Sequence, residues 1–393
     1  MPRATIGHLL PATCIVALCV HFATTARAQL AGSEVHVGIG GPLTTASATF
    51  GVEMRQAVEL AVTEKNAAGG ILGANIAATA IDDAASNEKG AEAAARFCQD
   101  PLNLGVIGHV NSGVTIAASS VYAACGLLAL TPMSSSAVVT ERGLSNVFRL
   151  TNRDDRKGPG LAKWLYQKLG KRRAVVLDDA TAYGKGLADG FVGGFEAAGG
   201  TVLARQSVHA GDTDFRTTLT SLPDAFDTLF FAGIREGAYI LKDMRALGRD
   251  QLFACGDGCW SVDGFIKPAA GAATSGEGVR ILSAAPAIGR VPGSAEFAAR
   301  YTARYGPINN YAASSYDAAR LVLAAIEQAA RARGALPSRA EVVAALRQLH
   351  FQGIAYARPV AWDAKGDNTA AVIFINVVAD GRFKEIDEIT GTP

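Results

Sequence analysis

The sequence "EVHVGIG" at residues 34–40 is an apolar run of strand composition, and "GVEMRQAVELAVTEKNAAGG" at residues 51–70 follows it with the period of an amphipathic helix. The same order recurs twice, because "ANIAATAID" precedes "NEKGAEAAARFCQD" and "LGVIGHV" precedes "GVTIAASSVYAACG". Strands that alternate with helices form parallel sheets, since each helix carries the chain back across the sheet. The first part of the chain therefore predicts an α/β fold.

A second series of alternating strands and helices begins after about residue 150. Its strand-like stretches include "RRAVVLDD" and "TLFFAG", and its helical stretches include "GPGLAKWLYQKLG" and "GKGLADGFVGGFEAAGG". From residue 284 the chain adds the long helices "SSYDAARLVLAAIEQAARAR" and "RAEVVAALRQL", then a last apolar strand, "AAVIFINVV", and a charged tail. A chain of 393 residues is too long for one ordinary core, so the sequence predicts two lobes.

The first residues predict an export signal. Arg3 precedes an apolar stretch that contains "CIVALCVHFA", and "ARA" at residues 26–28 has the small-x-small pattern that signal peptidase cuts. The stretch is too short to span a bilayer, and neither Cys14 nor Cys19 follows the small residue that a lipoprotein site requires. We expect residues 1–28 to be removed before Gln29 and the remaining chain to be a soluble periplasmic protein.

The charge balance argues against a nucleic-acid or membrane-surface partner. The chain holds 37 basic and 36 acidic side chains, and two of the basic ones, Arg3 and Arg27, fall in the predicted signal. The mature chain therefore has almost no net charge to attract a polyanion.

Enzyme motifs are incomplete in this sequence. "GIGGPL" begins like a dinucleotide-binding turn, but Leu43 stands where the third glycine belongs. There is no phosphate-loop lysine pattern and no G-x-S-x-G elbow. The histidines of the mature chain lack the spacing of a helical zinc site, and Cys255 and Cys259 are separated by three residues rather than two. The sequence predicts no cofactor and no metal.

Small polar turns follow several predicted strands. "GHVNSGVT" places Ser112 at the start of a helix, "LTPMSSSAVV" places Ser134 and Ser135 after the next strand, and "FACGDGC" places Asp257 between two glycines. Ligands of open α/β sheets bind at the carboxyl ends of the strands, and a helix N-terminus favours an anion. One lobe with hydroxyl donors and one lobe with a carboxylate would suit a zwitterion. The simpler alternatives are that Ser112 only caps its helix and that Asp257 caps the next one or faces water.

Motifs along nearly the whole mature chain resemble one family. They include "GGPLTTASATFG", "NAAGGILG", "GVIGHVNSGVT", "LTPMSSSAVVTERG", "NVFRLTNRDDRKGP", "FFAGIREGAYILKDMRALG", "ACGDGCW" and "VAWDAKGDN". In content and order they resemble the periplasmic substrate-binding proteins of branched-chain amino-acid ABC transporters. The resemblance implies a type I periplasmic-binding-protein fold: α/β, with two doubly wound parallel-sheet lobes joined by three crossovers near residues 150, 283 and 353. It assigns 29–150 and 284–352 to lobe 1, and 151–283 and 353–393 to lobe 2.

The resemblance also implies how the first lobe holds its ligand. Ser112 matches the serine that binds the ligand carboxylate, Ser135 matches its threonine partner, and Met133 matches the residue whose carbonyl accepts from the ammonium. Phe50 and Tyr311 match aromatic walls of the same lobe.

In the second lobe, the resemblance implies that Tyr183 is an aromatic lid residue and that Asp257 takes the ammonium. Ile234 stands where leucine-binding members can have a tyrosine, which predicts an apolar pocket for a branched side chain. The alternative is that Ile234 packs in the core and Arg235 faces the cleft, which would favour an acidic or amide-bearing ligand.

The function that the resemblance implies is capture of an apolar amino acid by a monomer that delivers it to an ABC permease. One alternative is a sensor of the same fold that signals to a receptor. Another is an exported α/β enzyme with Tyr183, Asp257 and the serine turns as catalytic groups, although the sequence offers it no convincing general base.

Four cysteines remain after the predicted signal. With right-handed crossovers and strand order 2-1-3-4, the helices that end at Cys98 and Cys125 are parallel neighbours on one sheet face, which predicts a disulfide in the oxidising periplasm. The alternative is a pair of buried free thiols. Cys255 and Cys259 flank the Asp257 turn and would form a second, small-loop disulfide or stay reduced.

Overall fold

The computed structural model describes Met1 and residues 30–389. The predicted signal and its cleavage site before Gln29 lie outside the described residues, apart from Met1. Within the described part of the chain, no helix is both long and apolar enough to cross a bilayer.

The strands form two separate sheets. They are β1 (Glu34–Gly41), β2 (Asn75–Asp82), β3 (Asn103–Gly108), β4 (Leu128–Thr131), β5 (Val147–Arg149), β6 (Arg173–Asp178), β7 (Thr201–Ser207), β8 (Thr228–Ala232), β9 (Leu252–Cys255), β10 (Val279–Ser283), β11 (Ile373–Ala379) and β12 (Arg382–Ile389).

Helices connect most of these strands. They are α1 (Ala48–Ala67), α2 (Asn87–Gln99), α3 (Ser112–Cys125), α4 (Val138–Glu141), α5 (Asp154–Leu169), α6 (Ala182–Ala197), α7 (Arg216–Ser221), α8 (Glu236–Ala246), α9 (Lys267–Ala269), α10 (Ser294–Tyr305), α11 (Ala312–Arg333) and α12 (Arg339–Gln348).

The first sheet has the order β2-β1-β3-β4-β5, and its strands are parallel. All six residues of β3 are buried, as expected for a strand that helices cover on both faces. Phe97 of α2 and Tyr122 of α3 pack with Val106 on one face. Ile107 belongs to a separate, larger core that also contains residues of α1 and α11. The predicted strand order of this sheet is confirmed.

The second sheet has the order β12-β11-β10-β9-β8-β6-β7. Strands β6 to β10 pair in parallel, whereas β11 pairs antiparallel with both β10 and β12. The sequence predicts a charged tail after the last apolar strand, but the structure forms β12 there, and its burial alternates over much of its length. The two-sheet α/β fold is confirmed, with this antiparallel edge as an addition.

The segment before β11 contacts the first sheet. The Arg149 N–H donates to the Gly366 carbonyl at 2.9 Å, and the Asn368 N–H donates to the Arg149 carbonyl at 3.0 Å. The side chain of Trp362 lies edge-on to Phe148, with ring centroids 5.1 Å apart. These contacts support a third crossover between residues 368 and 373, whereas the family resemblance implies one near 353. We propose the later position as the lobe boundary.

Both cysteine pairs are disulfide-bonded. Cys98 and Cys125, at the C-terminal ends of α2 and α3, have Cα atoms 6.0 Å apart, and Cys255 and Cys259 have Cα atoms 6.2 Å apart. The predicted pairing of Cys98 with Cys125 is confirmed. The second bond closes the loop that contains Asp257.

Replacing Cys98 and Cys125 together by alanine should lower the free energy of unfolding by roughly 3 kcal/mol, because the bond limits the conformations of the unfolded chain. Denaturant unfolding of the oxidised protein and of this double variant measures the difference. Thiol counting on the denatured, unreduced mature protein is the control. Four reactive thiols would show that neither bond forms in solution.

Candidate functional site

A cavity of about 480 Å³ lies where the carboxyl ends of strands from both sheets meet. Eight of the residues predicted to bind ligand line it: Phe50, Ser112, Met133, Ser135, Tyr183, Ile234, Asp257 and Tyr311. The position agrees with the rule for open α/β sheets, because loops after the strands converge there. The N-terminal residues of α2 and α3 also contribute to the wall.

Ser112 is the first residue of α3, and its side chain has a defined hydrogen-bonding state. The hydroxyl oxygen accepts the backbone N–H groups of Ser135 and Ser136, each at 3.2 Å. A hydroxyl has two acceptor positions and one donor proton. With both acceptor positions used, the proton of Ser112 is directed to an acceptor, next to the positive end of the α3 dipole. This corner of the cavity suits a carboxylate.

Ser134 takes a supporting position behind this corner. Its buried hydroxyl lies 2.5 Å from the Thr115 hydroxyl and 3.0 Å from the carbonyls of His109 and Val110. These contacts tie the turn after β4 to the turn after β3. Among the described residues, Ser134 is not part of the cavity wall, so its predicted ligand contact does not fit this geometry.

The "GDG" turn after β9 is closely packed at both of its glycines. A Cβ atom on Gly256 would lie 2.6 Å from the Tyr183 hydroxyl and 2.4 Å from Leu187, and one on Gly258 would lie 2.4 Å from the Gly233 carbonyl. A side chain at position 258 would push the turn away from the backbone after β8, and one at position 256 would displace the Tyr183 hydroxyl and the end of Leu187. The glycines therefore let the turn place Asp257 at the cavity, with only 2% of the residue exposed.

The Asp257 carboxylate makes four contacts with donors. Oδ1 accepts from the Tyr183 hydroxyl at 3.0 Å and from Lys157 Nζ at 2.7 Å. Oδ2 accepts from the Tyr311 hydroxyl at 3.0 Å and from Lys157 Nζ at 2.8 Å. Burial, together with the charge of Asp257, raises the pKa of both tyrosines well above the usual value, so both hydroxyls keep their protons and donate.

One part of the cavity wall is apolar, whereas Ser86, Asn87, Glu88, Asn111 and Thr181 give another part polar side chains. Phe50 meets Tyr311 edge-on with centroids 5.7 Å apart, and Trp260 packs against the same tyrosine at 5.4 Å. Ile234 lines the cavity, whereas Arg235 lies over the Tyr239 ring, 6.0 Å from its centroid. The geometry therefore favours the arrangement with Ile234 at the ligand over the one with Arg235.

Comparison with known proteins identifies the family of this chain. The family model described as "Periplasmic binding protein" matches residues 34–382. The chain belongs to the periplasmic binding protein family. The family implies an extracytoplasmic location and a solute-binding fold.

Known periplasmic binding proteins resemble this chain over most of its length. A Leu/Ile/Val-binding protein of Rhizobium johnstonii is 31% identical over 80% of this chain and 84% of its own. A Leu/Ile/Val-binding protein homologue of Brucella suis is 36% identical over 58% of this chain, and the match spans 62% of its own length. The crystal structure of a leucine binding protein from Thermotoga maritima has a TM-score of 0.80 and 26% identity, and covers 90% of this chain and 98% of its own.

Asp154 and Lys157 lie behind the Asp257 corner of this periplasmic binding protein's cavity, and neither was among the residues predicted to bind ligand. Both lie in the first turns of α5, and both are buried. Lys157 Nζ lies 3.1 Å from Asp154 Oδ1. Burial alone would lower the pKa of Lys157, but Asp154 and Asp257 outweigh it and raise that pKa, so the lysine is charged. The signal in the sequence is the charged run "RDDRK", in which these two residues have the i, i+3 spacing of one helix face.

Glu53 of α1 positions the start of α11, where Tyr311 lies. Its Oε2 accepts the Tyr311 N–H at 3.2 Å. Burial raises the pKa of Glu53 to about 8, although the backbone N–H groups of Tyr311, Asn309 and Ala312 oppose the shift. The folded protein therefore holds a proton that the unfolded chain loses near the ordinary carboxyl pKa.

Because the folded-state pKa of Glu53 is raised, its contribution to stability falls as the pH rises from about 5 to about 8. Glu53→Gln keeps the shape and cannot ionise, so the variant should gain about 2 kcal/mol in unfolding free energy over the wild type between pH 5 and pH 7. Chemical denaturation of both proteins across this range measures the difference. Parallel curves for the two proteins would contradict the raised pKa.

The site contains no obvious place for a metal. Between residues 30 and 389, the His, Cys, Asp and Glu side chains form no group of three that could hold one. His109 is buried, and its two ring nitrogens are hydrogen-bonded to Asp83 at 2.7 Å and to Tyr122 at 3.0 Å. These two bonds give His109 a role in holding the fold.

Proposed function

We propose that this protein captures an amino acid with an apolar side chain in the cavity between its two lobes and delivers it to an ABC permease. The observation that carries the proposal is that one cavity has a donor corner and an acceptor corner, both built from buried residues. Ser112 and the start of α3 offer donors to a carboxylate, and Asp257 offers a carboxylate to an ammonium group. The relatives named Leu/Ile/Val-binding proteins support the ligand class.

In this proposal, closure of the two lobes and ligand binding are one linked equilibrium. Ser112 follows a strand of the first sheet, and Asp257 follows a strand of the second. A ligand that touches both gains more contacts when the lobes are closed. Desolvation of both ligand charges costs several kcal/mol per ion unless each is hydrogen-bonded, and closed lobes supply those bonds. We further propose a monomer, secreted to the periplasm after cleavage before Gln29.

The apolar wall sets the proposed selectivity. Phe50, Tyr311 and Ile234 give the ligand side chain apolar contacts without a charged partner. Leucine, isoleucine and valine should bind with differences of only about 1–3 kcal/mol for each methylene, and phenylalanine should be admitted. Glutamate should be rejected, because a second carboxylate would be buried without a partner.

Mass spectrometry of the small molecule that the purified protein carries tests the proposal first. Unfolding, removal of that molecule and refolding then allow calorimetric titration with leucine, isoleucine, valine, phenylalanine, glutamine and glutamate. Recovery of a chemically unchanged apolar amino acid supports the proposal. Tighter binding of glutamate or glutamine than of leucine would contradict the role of Ile234, and a ligand converted during incubation would contradict a binding role.

A further inference from the structure

The acid proposed to bind the ligand ammonium already has a full set of donors. A carboxylate offers about four acceptor positions. In Asp257 they are used by Tyr183, by Tyr311 and twice by Lys157, at distances of 2.7–3.0 Å. A further donor can therefore bind Asp257 only if one of these three side chains gives up a position.

Lys157 is the donor with an alternative acceptor close by. Its Nζ lies 3.1 Å from Asp154 Oδ1, and the Ser135 side chain is the other group that acts on Asp154 as a hydrogen-bond donor. Neither contact has the geometry of a full hydrogen bond, so Asp154 can accept more strongly from Lys157. Asp154 is 1% exposed, so solvent does not take the place of that partner. The two tyrosines have no such second carboxylate within hydrogen-bond distance among the described side chains.

Asp154, Lys157 and Asp257 form a charge cluster with one more acid than base, so one added cation would neutralise it. Asp154 and Asp257 are two acids, and Lys157 is their one base within contact distance. Burial raises the pKa of Asp154, and the charge of Asp257 adds to the shift, while Lys157 and a hydrogen bond from the Ser135 side chain oppose it. An added ammonium group would balance the second acid.

We propose that Lys157 is an internal counter-ion, which the ligand ammonium displaces from Asp257 onto Asp154. This inference rests on the proposed amino-acid function and adds two positioning residues to it. Lys157 and Asp154 do not line the cavity in the described structure. They nevertheless determine how much more tightly the site binds a ligand with an ammonium group than the same ligand without one. A carboxylic acid without an α-ammonium needs no displacement and gains nothing from it.

The test compares variants of the full-length mature protein by calorimetry with leucine and with the α-keto acid analogue of leucine. Asp154→Asn removes the second acceptor of Lys157, so leucine should bind at least about tenfold more weakly. The Asp154→Asn, Lys157→Gln double variant keeps the net charge of the cluster and frees two acceptor positions on Asp257. It should bind leucine at least about tenfold more tightly than the wild type does. The keto acid should change by less than about threefold in both variants.

The opposite signs for leucine separate displacement from general damage to the cavity. Asp155→Asn is the matched control, because the side chain of this neighbouring acid is 47% exposed and pairs with Arg153 rather than with Lys157. It should leave both affinities unchanged. A wild type that binds leucine, with both variants weakened alike or unchanged, overturns the displacement and leaves the proposed function standing. A wild type that binds no amino acid overturns both. The double variant has the same net charge in the cluster as the wild type and contains no unpaired lysine. Circular dichroism checks that it folds.

Discussion

Replacing Asp367 by asparagine should lower the free energy of unfolding by about 3–5 kcal/mol, which is typical of a buried ion pair that loses one partner. Asp367 Oδ1 accepts from Arg149 Nε at 2.8 Å, and Oδ2 accepts from Arg153 at 3.1 Å. The Thr140 hydroxyl adds contacts at 3.0 and 3.1 Å. The guanidinium of Arg149 is fully buried, so asparagine would leave its charge without a counter-ion.

This cluster holds the segment before β11 against the first sheet, because Arg149 is the last residue of β5. Chemical denaturation of Asp367→Asn and of the wild type at neutral pH measures the loss. Asp155→Asn is again a suitable control, since it removes an acid from Arg153 where solvent screens the pair, and should cost about 1 kcal/mol or less. If both variants lose the same free energy of unfolding, the buried contacts of Asp367 contribute no more to stability than the partly exposed pair of Asp155 with Arg153.

The sequence predicts the first sheet and the polar corners of the cavity because both follow from local rules. Strand and helix periods alternate along the chain, and strand ends place Ser112 and Asp257 at the same kind of sheet edge. The neighbouring helix ends that follow from the strand order also predict the bond between Cys98 and Cys125. Each of these inferences needs only spacing along one or two elements.

The charge cluster behind Asp257 is not predictable in that way. Lys157 and Asp257 are 100 residues apart in sequence, so no local spacing links them. The run "RDDRK" reads as a solvated helix start, and charged residues are almost never fully buried unless they are paired. Only the packing of α5 beside the turn after β9 buries Lys157 and gives it two acids.

Ser134 is a second residue whose surroundings do not follow from local spacing in the sequence. Three serines in a row after β4 all look like donors for a ligand, and the sequence does not separate them. In the structure, Ser135 lines the cavity, while Ser134 turns toward the carbonyls of His109 and Val110. The difference depends on the alternating directions of side chains in a tight turn, which are set by the neighbouring loop.

Replacing Asp257 by asparagine should weaken leucine binding by about 2–5 kcal/mol, or roughly thirtyfold to several thousandfold. The amide has the shape of the carboxylate but no charge to meet an ammonium group. It also turns one acceptor oxygen into a donor that faces Lys157 or a tyrosine hydroxyl, since both oxygens of Asp257 accept in the structure. The loss therefore combines a missing attraction with a mismatched donor.

Two comparisons separate a role in ammonium binding from damage to the turn. Ser112→Ala should cost leucine binding only about 1 kcal/mol, because the backbone N–H groups at the start of α3 remain as donors. The α-keto acid analogue of leucine should lose much less affinity than leucine does in Asp257→Asn, since it brings no ammonium to the site. Calorimetry on correctly folded variants, checked by circular dichroism, measures both. If leucine, valine and phenylalanine bind the asparagine variant as tightly as the wild type, Asp257 serves only to hold Lys157 and the two tyrosines, and the ammonium binds elsewhere in the cavity.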